Sequence, residues 1–336
     1  MRKSGTKEKI LALLNERKGT SYSGQELADT LNISRTSVWK AINALRDEGV
    51  KIGGSTNSGY TLAPESDVLN SYVVEDLLNE DSRSFYRINC VKTIDSTNLK
   101  CKSEAESGAY EGVTYIAEEQ TKGRGRRGRS FFSPDSTGLY LSILLRPELE
   151  ISDAVLITTA AAVAAATASE KVNDLIKEGD VKIKWVNDLY LNDKKISGIL
   201  TEAGLSMETG GFDYAVMGIG FNLAPPKGGW PDDIKDRAGS LFEEGLCPAG
   251  TRNRLAAEFL NAFLPIYKAL PDVTYLSEYR KRQLTLDKDI DVIDGAGNKK
   301  RAHATGIDDR CGLIVIFEGE DKPVTLTSGE ISTRVI

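Results

Sequence analysis

Gly123-Arg124-Gly125-Arg126-Arg127-Gly128-Arg129 contains the spacing G-x-G-x-x-G. The dinucleotide-fold reading needs a strand before that spacing and a helix directly after it, because the helix N-terminus holds the pyrophosphate. Residues 113–119 supply a strand. The residues after the loop, Arg129-Ser130-Phe131-Phe132-Ser133-Pro134-Asp135-Ser136-Thr137-Gly138, are extended and turn-forming, so the required helix is missing. No G-x-x-x-x-G-K-[ST] occurs either, which sets aside a P-loop. An arginine-rich nucleic-acid segment usually sits in a disordered tail. This run instead lies between a strand and Phe131-Phe132, in the most core-rich part of the chain. What remains is an anion clamp. Glycines let backbone N–H groups approach an anion closely. Four arginines offer planar forks for a carboxylate or phosphate. Their mutual repulsion predicts a loop that is mobile until an anionic ligand arrives.

Outward from the loop, residues 85–270 alternate strands and helices. The pattern predicts strands over 88–93, 113–119, 138–145, 181–185, 188–191, 195–203 and 213–221, and helices over 97–107, 152–177 and 251–269. The strands from 181 onward are separated by short turns, which fits antiparallel pairing and an α+β domain. Beyond about residue 283 the character changes. Short strands at Asp289–Ile293, Arg301–Ile307, Gly312–Glu318 and Val324–Ser328 are joined by turns rich in Gly, Asp and Asn, which predicts a small β-barrel.

The N-terminal residues read differently. Ile10, Leu13 and Leu14 mark a short amphipathic helix, and 24–31 a second. Ser34 is a good N-cap for a third helix, with Gly49 as its stop. Val38, Ile42 and Leu45 face inward in that helix. Arg35, Thr36, Ser37, Trp39, Lys40, Asn43 and Arg46 are left to face outward, with packing against the scaffold as the other option for Trp39. Residues 51–62 form a hairpin with Gly and Asn at its tip. Together these elements make a winged helix-turn-helix. Residues 1–65 hold ten Lys/Arg against seven Asp/Glu, a local +3 in a chain of net charge −6. That reversal supports DNA contact.

Composition removes other classes. The 336 residues are 40% hydrophobic and 27% charged, as in ordinary globular proteins. Cys90, Cys101, Cys247 and Cys311 form no C-x-x-C pair, which predicts buried or free thiols in a reducing compartment. No signal peptide opens the chain, and the Ala/Thr-rich stretch 154–168 reads as a buried helix in a cytoplasmic protein. His303 is the only histidine, so a His-rich zinc site is excluded and a Ser-His-Asp triad is not expected. The chemistry must rest on Lys, Arg, Asp, Glu and backbone groups.

Two further constellations stand out. Asp95-Ser96-Thr97-Asn98 opens a helix and is either a simple N-cap or part of a site. Lys184-Trp185-Val186-Asn187-Asp188-Leu189-Tyr190, followed by Lys194-Lys195-Ile196-Ser197-Gly198-Ile199, is either a solvated hairpin with a surface ion pair or a second part of that site.

In this order, behind a winged helix and ahead of a small barrel, the motifs closely resemble the bifunctional bacterial biotin–protein ligases that are also biotin operon repressors. The resemblance covers essentially the whole chain. It implies an α+β multidomain fold: a winged helix-turn-helix over 1–65, a class II synthetase-like ligase domain with a mixed or antiparallel sheet over 66–278, and an SH3-like β-barrel over 279–336. It implies that biotin and ATP form biotinyl-5′-AMP, whose acyl group passes to a lysine of a biotin carboxyl carrier protein of a carboxylase. By the same resemblance Ser96, Thr97, Asn98 and Gln120 hold the ureido ring. Arg124, Gly125, Arg126 and Arg127 wrap carboxylate and phosphate. Lys195 contacts the activated carboxylate, and Asn187 and Asn222 lie near the nucleotide. Arg126 and Lys195 are assigned to developing charge, and Asp188 to orienting or deprotonating the acceptor lysine. Mg²⁺ would accompany ATP, held by its phosphates and water, with no protein metal cage. The aromatic that closes over adenine in this family is often Trp. Phe131 stands at that position, with Trp230 as the other candidate.

The resemblance also implies repression of biotin synthesis or uptake genes. Ser34, Arg35, Thr36, Ser37, Lys40 and Asn43 are the candidate contacts to operator DNA. A homodimer favoured by biotinyl-AMP is expected. Two alternatives are kept: a non-catalytic biotin-sensing transcription factor, and a related ligase acting on lipoate or octanoate.

Overall fold

The computed structural model describes residues 5–47, 50–55, 58–64, 66–205, 211–294, 297–327 and 330–332. Helices α1 (Thr6–Glu16), α2 (Gly24–Leu31) and α3 (Arg35–Asp47) precede the antiparallel hairpin of β1 (Ile52–Ser55) and β2 (Gly59–Leu62). A full capping box starts α2: Ser23 Oγ accepts from the Glu26 N–H, and the Glu26 carboxylate accepts from the Ser23 N–H. Asn32 then takes the left-handed conformation, and Ser34 Oγ caps α3 by accepting from the Ser37 N–H at 3.1 Å. Val38, Ile42 and Leu45 are buried among Ile10, Leu14, Leu27, Tyr60 and Leu62. Arg46 does not face outward as expected. Its guanidinium donates to the carbonyls of Ile52 and Gly54 at 2.9 and 2.7 Å and lies 5.8 Å from the centre of the Tyr60 ring. Carbonyls on the free edge of a two-stranded hairpin have no strand partner, and the guanidinium satisfies them. Gly49, Asn57 and Ser328, to which the sequence assigned a helix stop, a hairpin tip and a strand end, lie outside the described residues.

The next elements are α4 (Ser71–Leu77), α5 (Glu80–Phe85), β3 (Arg87–Ile94), α6 (Thr97–Glu106), β4 (Val113–Gln120), β5 (Gly138–Leu145), α7 (Ala154–Val172), β6 (Lys182–Lys184), β7 (Asp188–Leu191), β8 (Lys194–Leu205), β9 (Phe212–Asn222), α8 (Thr251–Ala269) and α9 (Leu276–Lys281). Their seven strands form one mixed sheet, ordered β3-β4-β5-β9-β8-β7-β6. Only β3 and β4 run parallel, joined by α6 as the crossover; the other neighbours are antiparallel. Helix α7 stops five residues short of the predicted 177. Asn173 leaves helical geometry, and its side chain bonds the Leu241 carbonyl at 2.6 Å and the Leu175 N–H at 3.1 Å. Ile151–Val172 is long and apolar enough to cross a membrane, yet its alanines are buried in the core against α8.

Alternation along the central strands divides the sheet into two faces. Leu139, Leu141, Ile143 and Leu145 of β5, with Ala215, Met217, Ile219 and Phe221 of β9, join the large core under α7 and α8. Leu144, Tyr214 and Val216 point the other way and pack on Cys101 and Ala105 of α6. Ser142, Gly218 and Gly220 share that second face.

Strands β10 (Lys288–Ile293), β11 (Lys299–Ile307), β12 (Leu313–Phe317), β13 (Pro323–Leu326) and β14 (Glu330–Ser332) form an antiparallel sheet ordered β13-β12-β11-β10-β14. Strand β14 was not foreseen. Among the described residues no pair closes β13 onto β14, so the expected barrel appears as a small, open β unit. Ile290, Ala304, Leu313 and Val315 belong to the same core as α7 and α8.

Arg282 fastens the seam below this unit. It is 1% exposed, and its guanidinium donates both Nη groups to Glu170 of α7, at 2.5 and 2.9 Å. Burial opposes its charge, but the carboxylates of Glu170 and Glu278 outweigh that and raise its pKa. Glu170 Oε1 also accepts from the N–H groups of Gly179 and Val181. Glu170→Ala removes one of the two carboxylates on Arg282, leaving Glu278 2.7 Å from its Nε, and strands two backbone donors; it should cost at least about 1–3 kcal/mol. Urea denaturation checks this; a midpoint equal to that of the parent chain contradicts it.

Candidate active site

The second face of the sheet carries the site because glycine replaces side chains on it. A Cβ on Gly218 would fall 1.8 Å from Asn98 Oδ1, and one on Gly220 would fall 2.4 Å from the Phe131 ring. Gly198, opposite Gly220 across β8 and β9, has both Lys195 Nζ and the Phe131 ring 3.2 Å from the position of its absent Cβ. A cleft of about 300 Å³, including its open mouth, is lined by Ser96, Thr97, Asn98, Gln120, Arg124 and Phe131 above Leu200, Ile219 and these three glycines.

One end of the cleft is neutral and polar. The Ser96 side chain does not cap α6, which removes the simple N-cap reading of Asp95–Asn98. Ser96, Thr97 and Asn98 are all buried. Gln120 Oε1 accepts from the Thr97 N–H at 2.9 Å and lies 3.1 Å from Thr97 Oγ1. Ser142 Oγ sits 2.7 Å from Thr97 Oγ1 and 2.6 Å from Asn98 Oδ1. Asn98 Nδ2 donates to Glu202 Oε2 at 2.9 Å.

The other end is charged. The Gly123–Arg129 loop closes as a short hairpin: Arg124 bridges Ser130, and the Gly125 N–H donates to the Arg129 carbonyl at 2.7 Å. No helix follows it, only one 3₁₀ turn at Arg126–Gly128. Repulsion between the arginines is relieved by protein acceptors. Arg124 pairs with Glu202 at 3.2 Å, and Arg126 donates to Asn187 Oδ1 at 3.0 Å. Arg127 turns away from the cleft, toward the carbonyls of Ile293 and Asp294 on the C-terminal sheet. Lys195 Nζ and Asp188 Oδ1 are 2.7 Å apart, beside Asn187, whose amide donates to the Ile199 carbonyl. Asn222 commits its Nδ2 to the carbonyls of Gly239, at 2.9 Å, and Lys195, at 3.4 Å; it therefore braces the lysine strand from behind.

Phe131 packs edge-on to Tyr140 inside the cleft. Trp230 pairs edge-on with Phe132, which is partly exposed. The chain thus has one aromatic within the cleft and an aromatic pair beside it. His303 lies on β11, paired with Asp289 across the strand. The four cysteines are free, and burial pushes the Cys90 and Cys101 thiols up to about 12.

On the winged helix, Arg35, Thr36, Trp39 and Lys40 are exposed, while Ser37 and Asn43 are half-buried. Ser34 spends its hydroxyl on the α3 cap.

Contributors missed in the sequence include Ser142, Glu202, Gly218 and Gly220. Ser142 had a signal, as the lone hydroxyl between Leu141 and Ile143 in a wholly buried strand. Glu202 had none beyond its parity with Gly198 and Leu200. Gly218→Ala drives a methyl group into Asn98. Titration with biotin should show affinity lower by at least about tenfold; unchanged affinity contradicts the packing described.

Residues 90–222 match the biotin/lipoate A/B protein ligase family, and residues 6–61 match a helix-turn-helix domain. The bifunctional ligase/repressor BirA of Escherichia coli is 33% identical over 97% of this chain and 96% of its own length. That of Bacillus subtilis is 31% identical over 72% of each chain. The biotin protein ligase of Aquifex aeolicus, solved in complex with biotin and ATP, superposes with a TM-score of 0.59 at 26% identity, covering 74% of this chain and 98% of that one. With its glycine-floored cleft and its N-terminal helix-turn-helix, the chain belongs to the biotin/lipoate A/B protein ligase family.

Proposed function

We propose that this chain activates biotin with ATP and transfers it to a lysine of a biotin carboxyl carrier protein, and that its winged helix represses biotin genes when the adenylate is bound. One observation carries the reading. Four segments far apart in sequence, at 96–98, 120–131, 198–200 and 218–220, converge on one cleft, and Arg126, Asn187, Asp188 and Lys195 form a charged group near it, with Lys195 Nζ close to Gly198 in its floor. Such a cleft suits a molecule with a uncharged polar ring and an anionic tail.

In this reading Ser96, Thr97, Asn98 and Gln120 take the ureido ring. Arg124, with the backbone at Gly125, lies where the chain bends toward its carboxylate. Arg126 and Lys195 offset the charge that develops as the carboxylate oxygen bonds the α-phosphorus and pyrophosphate leaves. Asn187 holds Arg126 in place. Lys195 exchanges Asp188 for the acyl phosphate, which leaves Asp188 to accept the proton of the acceptor lysine. That amine then attacks the acyl carbon and AMP departs. Phe131 and the Phe132–Trp230 pair flank the adenine. Arg127 and Asn222 serve the nucleotide indirectly, one by tying the loop to the C-terminal sheet and the other by bracing Lys195. Among the described residues no group of three His, Cys, Asp or Glu side chains forms a metal cage. Mg²⁺ would accompany ATP, held largely by its phosphates and water.

The winged helix would act as a homodimer on paired half-sites, with Arg35, Thr36 and Lys40 foremost at the DNA. We place the units at 1–65, 66–278 and 279–336, the last completing an SH3-like fold. The free thiols suit a cytoplasmic setting.

Incubation with labelled biotin, ATP, Mg²⁺ and a carrier domain should label the carrier lysine. Retained biotin binding with no transfer would favour a non-catalytic sensor, and preferential transfer of lipoate would favour a lipoate ligase. Arg126→Ala should release the adenylate into solvent at least about tenfold faster and raise the KM for biotin; unchanged retention removes Arg126 from the clamp. Arg46→Ala, which frees the wing, should weaken operator binding and leave carrier labelling unaltered. Equal operator shifts for variant and parent would count against the wing's part in recognition.

A further inference from the structure

We propose that Trp185 and Tyr279 are positioning residues for adenylate formation: they hold, from its far side, the turn that presents Asn187 and Asp188 to Arg126 and Lys195. The inference rests on reading the site as one that activates biotin, and it adds two residues that touch no substrate.

The turn needs support from outside its own hairpin. Residues 185–187 join β6 and β7, strands of three and four residues, and β6 is the last strand of the seven-stranded sheet. A hairpin that short does not hold its shape unaided. Its inner side is fastened to β8: the Asn187 amide donates to the Ile199 carbonyl at 2.8 Å, and the Ile199 N–H donates to the Asn187 carbonyl at 3.0 Å. Its outer side is taken by the segment after α9. The Ile183 N–H donates to the Arg282 carbonyl and the Leu284 N–H to the Ile183 carbonyl, both at 2.8 Å.

Two buried side chains extend this grip to the turn itself. The Trp185 indole N–H donates to the Cys311 carbonyl at 3.0 Å, between β11 and β12. The Tyr279 hydroxyl, on α9, donates to the Val186 carbonyl at 3.3 Å. Burial holds that phenol well above its ordinary pKa and so keeps its proton in place, while the charge of Arg126 acts in the other direction. The peptide from Val186 to Asn187 is thereby held at its oxygen. The next two side chains are those that meet the cations: Asn187 Oδ1 accepts from Arg126 at 3.0 Å, and Asp188 lies 2.7 Å from Lys195 Nζ. Arg126 and Lys195 offset charge at the phosphorus only when their places are fixed before it develops. A small displacement of the turn that orients them therefore costs rate. The neutral end is built from other segments, at 97–98, 120 and 142.

The test follows biotin-dependent release of pyrophosphate from ATP by the full chain, with thermal melting to establish that each variant is folded. Tyr279→Phe removes one oxygen and should lower kcat about fivefold; Trp185→Phe removes the indole N–H and should lower it about tenfold; the KM for biotin should stay within about twofold of the parent in both. In an Asn187→Ala background each substitution should cost no more than about twofold, because the residue through which they act is gone. A merely structural role would lower the melting temperature and leave both losses undiminished in that background. Undiminished losses there, or a KM for biotin that rises as far as kcat falls, overturn the proposal. Where Trp185→Phe does not fold, Tyr279→Phe in the two backgrounds decides. If the parent chain releases no pyrophosphate with biotin, it is the reading of the site that fails. If it does and the folded variants match it, only the positioning role fails.

Discussion

The site depends on the pairing of Gly198 with Gly220 across the two central strands β8 and β9. Sheets in proteins of this size normally cover both faces with side chains. Here the helical face is fully covered, and the opposite face is stripped at 198, 218 and 220. Phe131, Lys195 and Asn98 can therefore rest against strand backbone. The cost is one face of packing contributed by apolar side chains, and the core under α7 and α8 carries the sheet instead. A rigid floor also explains why polar residues from separate loops hold fixed spacings: each is positioned against the same two strands.

Much of this was legible in the sequence, for physical reasons that differ by element. The helices and strands from 88 to 269 follow from periodicity, because a half-covered sheet imposes alternation and its helices impose a stripe. The Gly-Arg loop was legible as a loop that no helix follows, because Arg129 to Gly138 carries turn-forming residues, and only one 3₁₀ turn, at Arg126–Gly128, is present. The polar network was not. Ser96 looked like an N-cap, and only the fold shows its hydroxyl unused at the helix start. Glu202 looked like any strand carboxylate, since its partners Asn98 and Arg124 lie 104 and 78 positions away. Arg46 was expected to face outward and Arg127 to wrap an anion; each instead turns onto carbonyls of a neighbouring element, and such acceptors carry no sequence mark.

The charged loop also illustrates how self-repulsion is managed without a ligand. Arg124, Arg126 and Arg127 each point to a different acceptor: a carboxylate, an amide oxygen and a pair of backbone carbonyls. The three guanidiniums are thereby directed to three separate parts of the chain, at 202, 187 and 293–294.

The winged helix is attached along the same mechanical path. Asp67, just after the hairpin, forms an ion pair with the buried Arg252 of α8, whose Nε donates to the Gly138 carbonyl at 3.0 Å. Asn253 accepts from the Asn70 N–H and donates to the Val68 carbonyl. Gly138 in turn pairs with Asn222, which braces Lys195. Contiguity of this kind carries no coupling energy by itself; a ligand shifts the DNA-binding unit only by binding one arrangement more tightly than another. Glu202 lies on β8 and Asn187 in the turn before β7, whereas the linker is held by α8 and, through Arg252, by the start of β5, so loop and linker meet only through the β5, β9 and β8 part of the sheet.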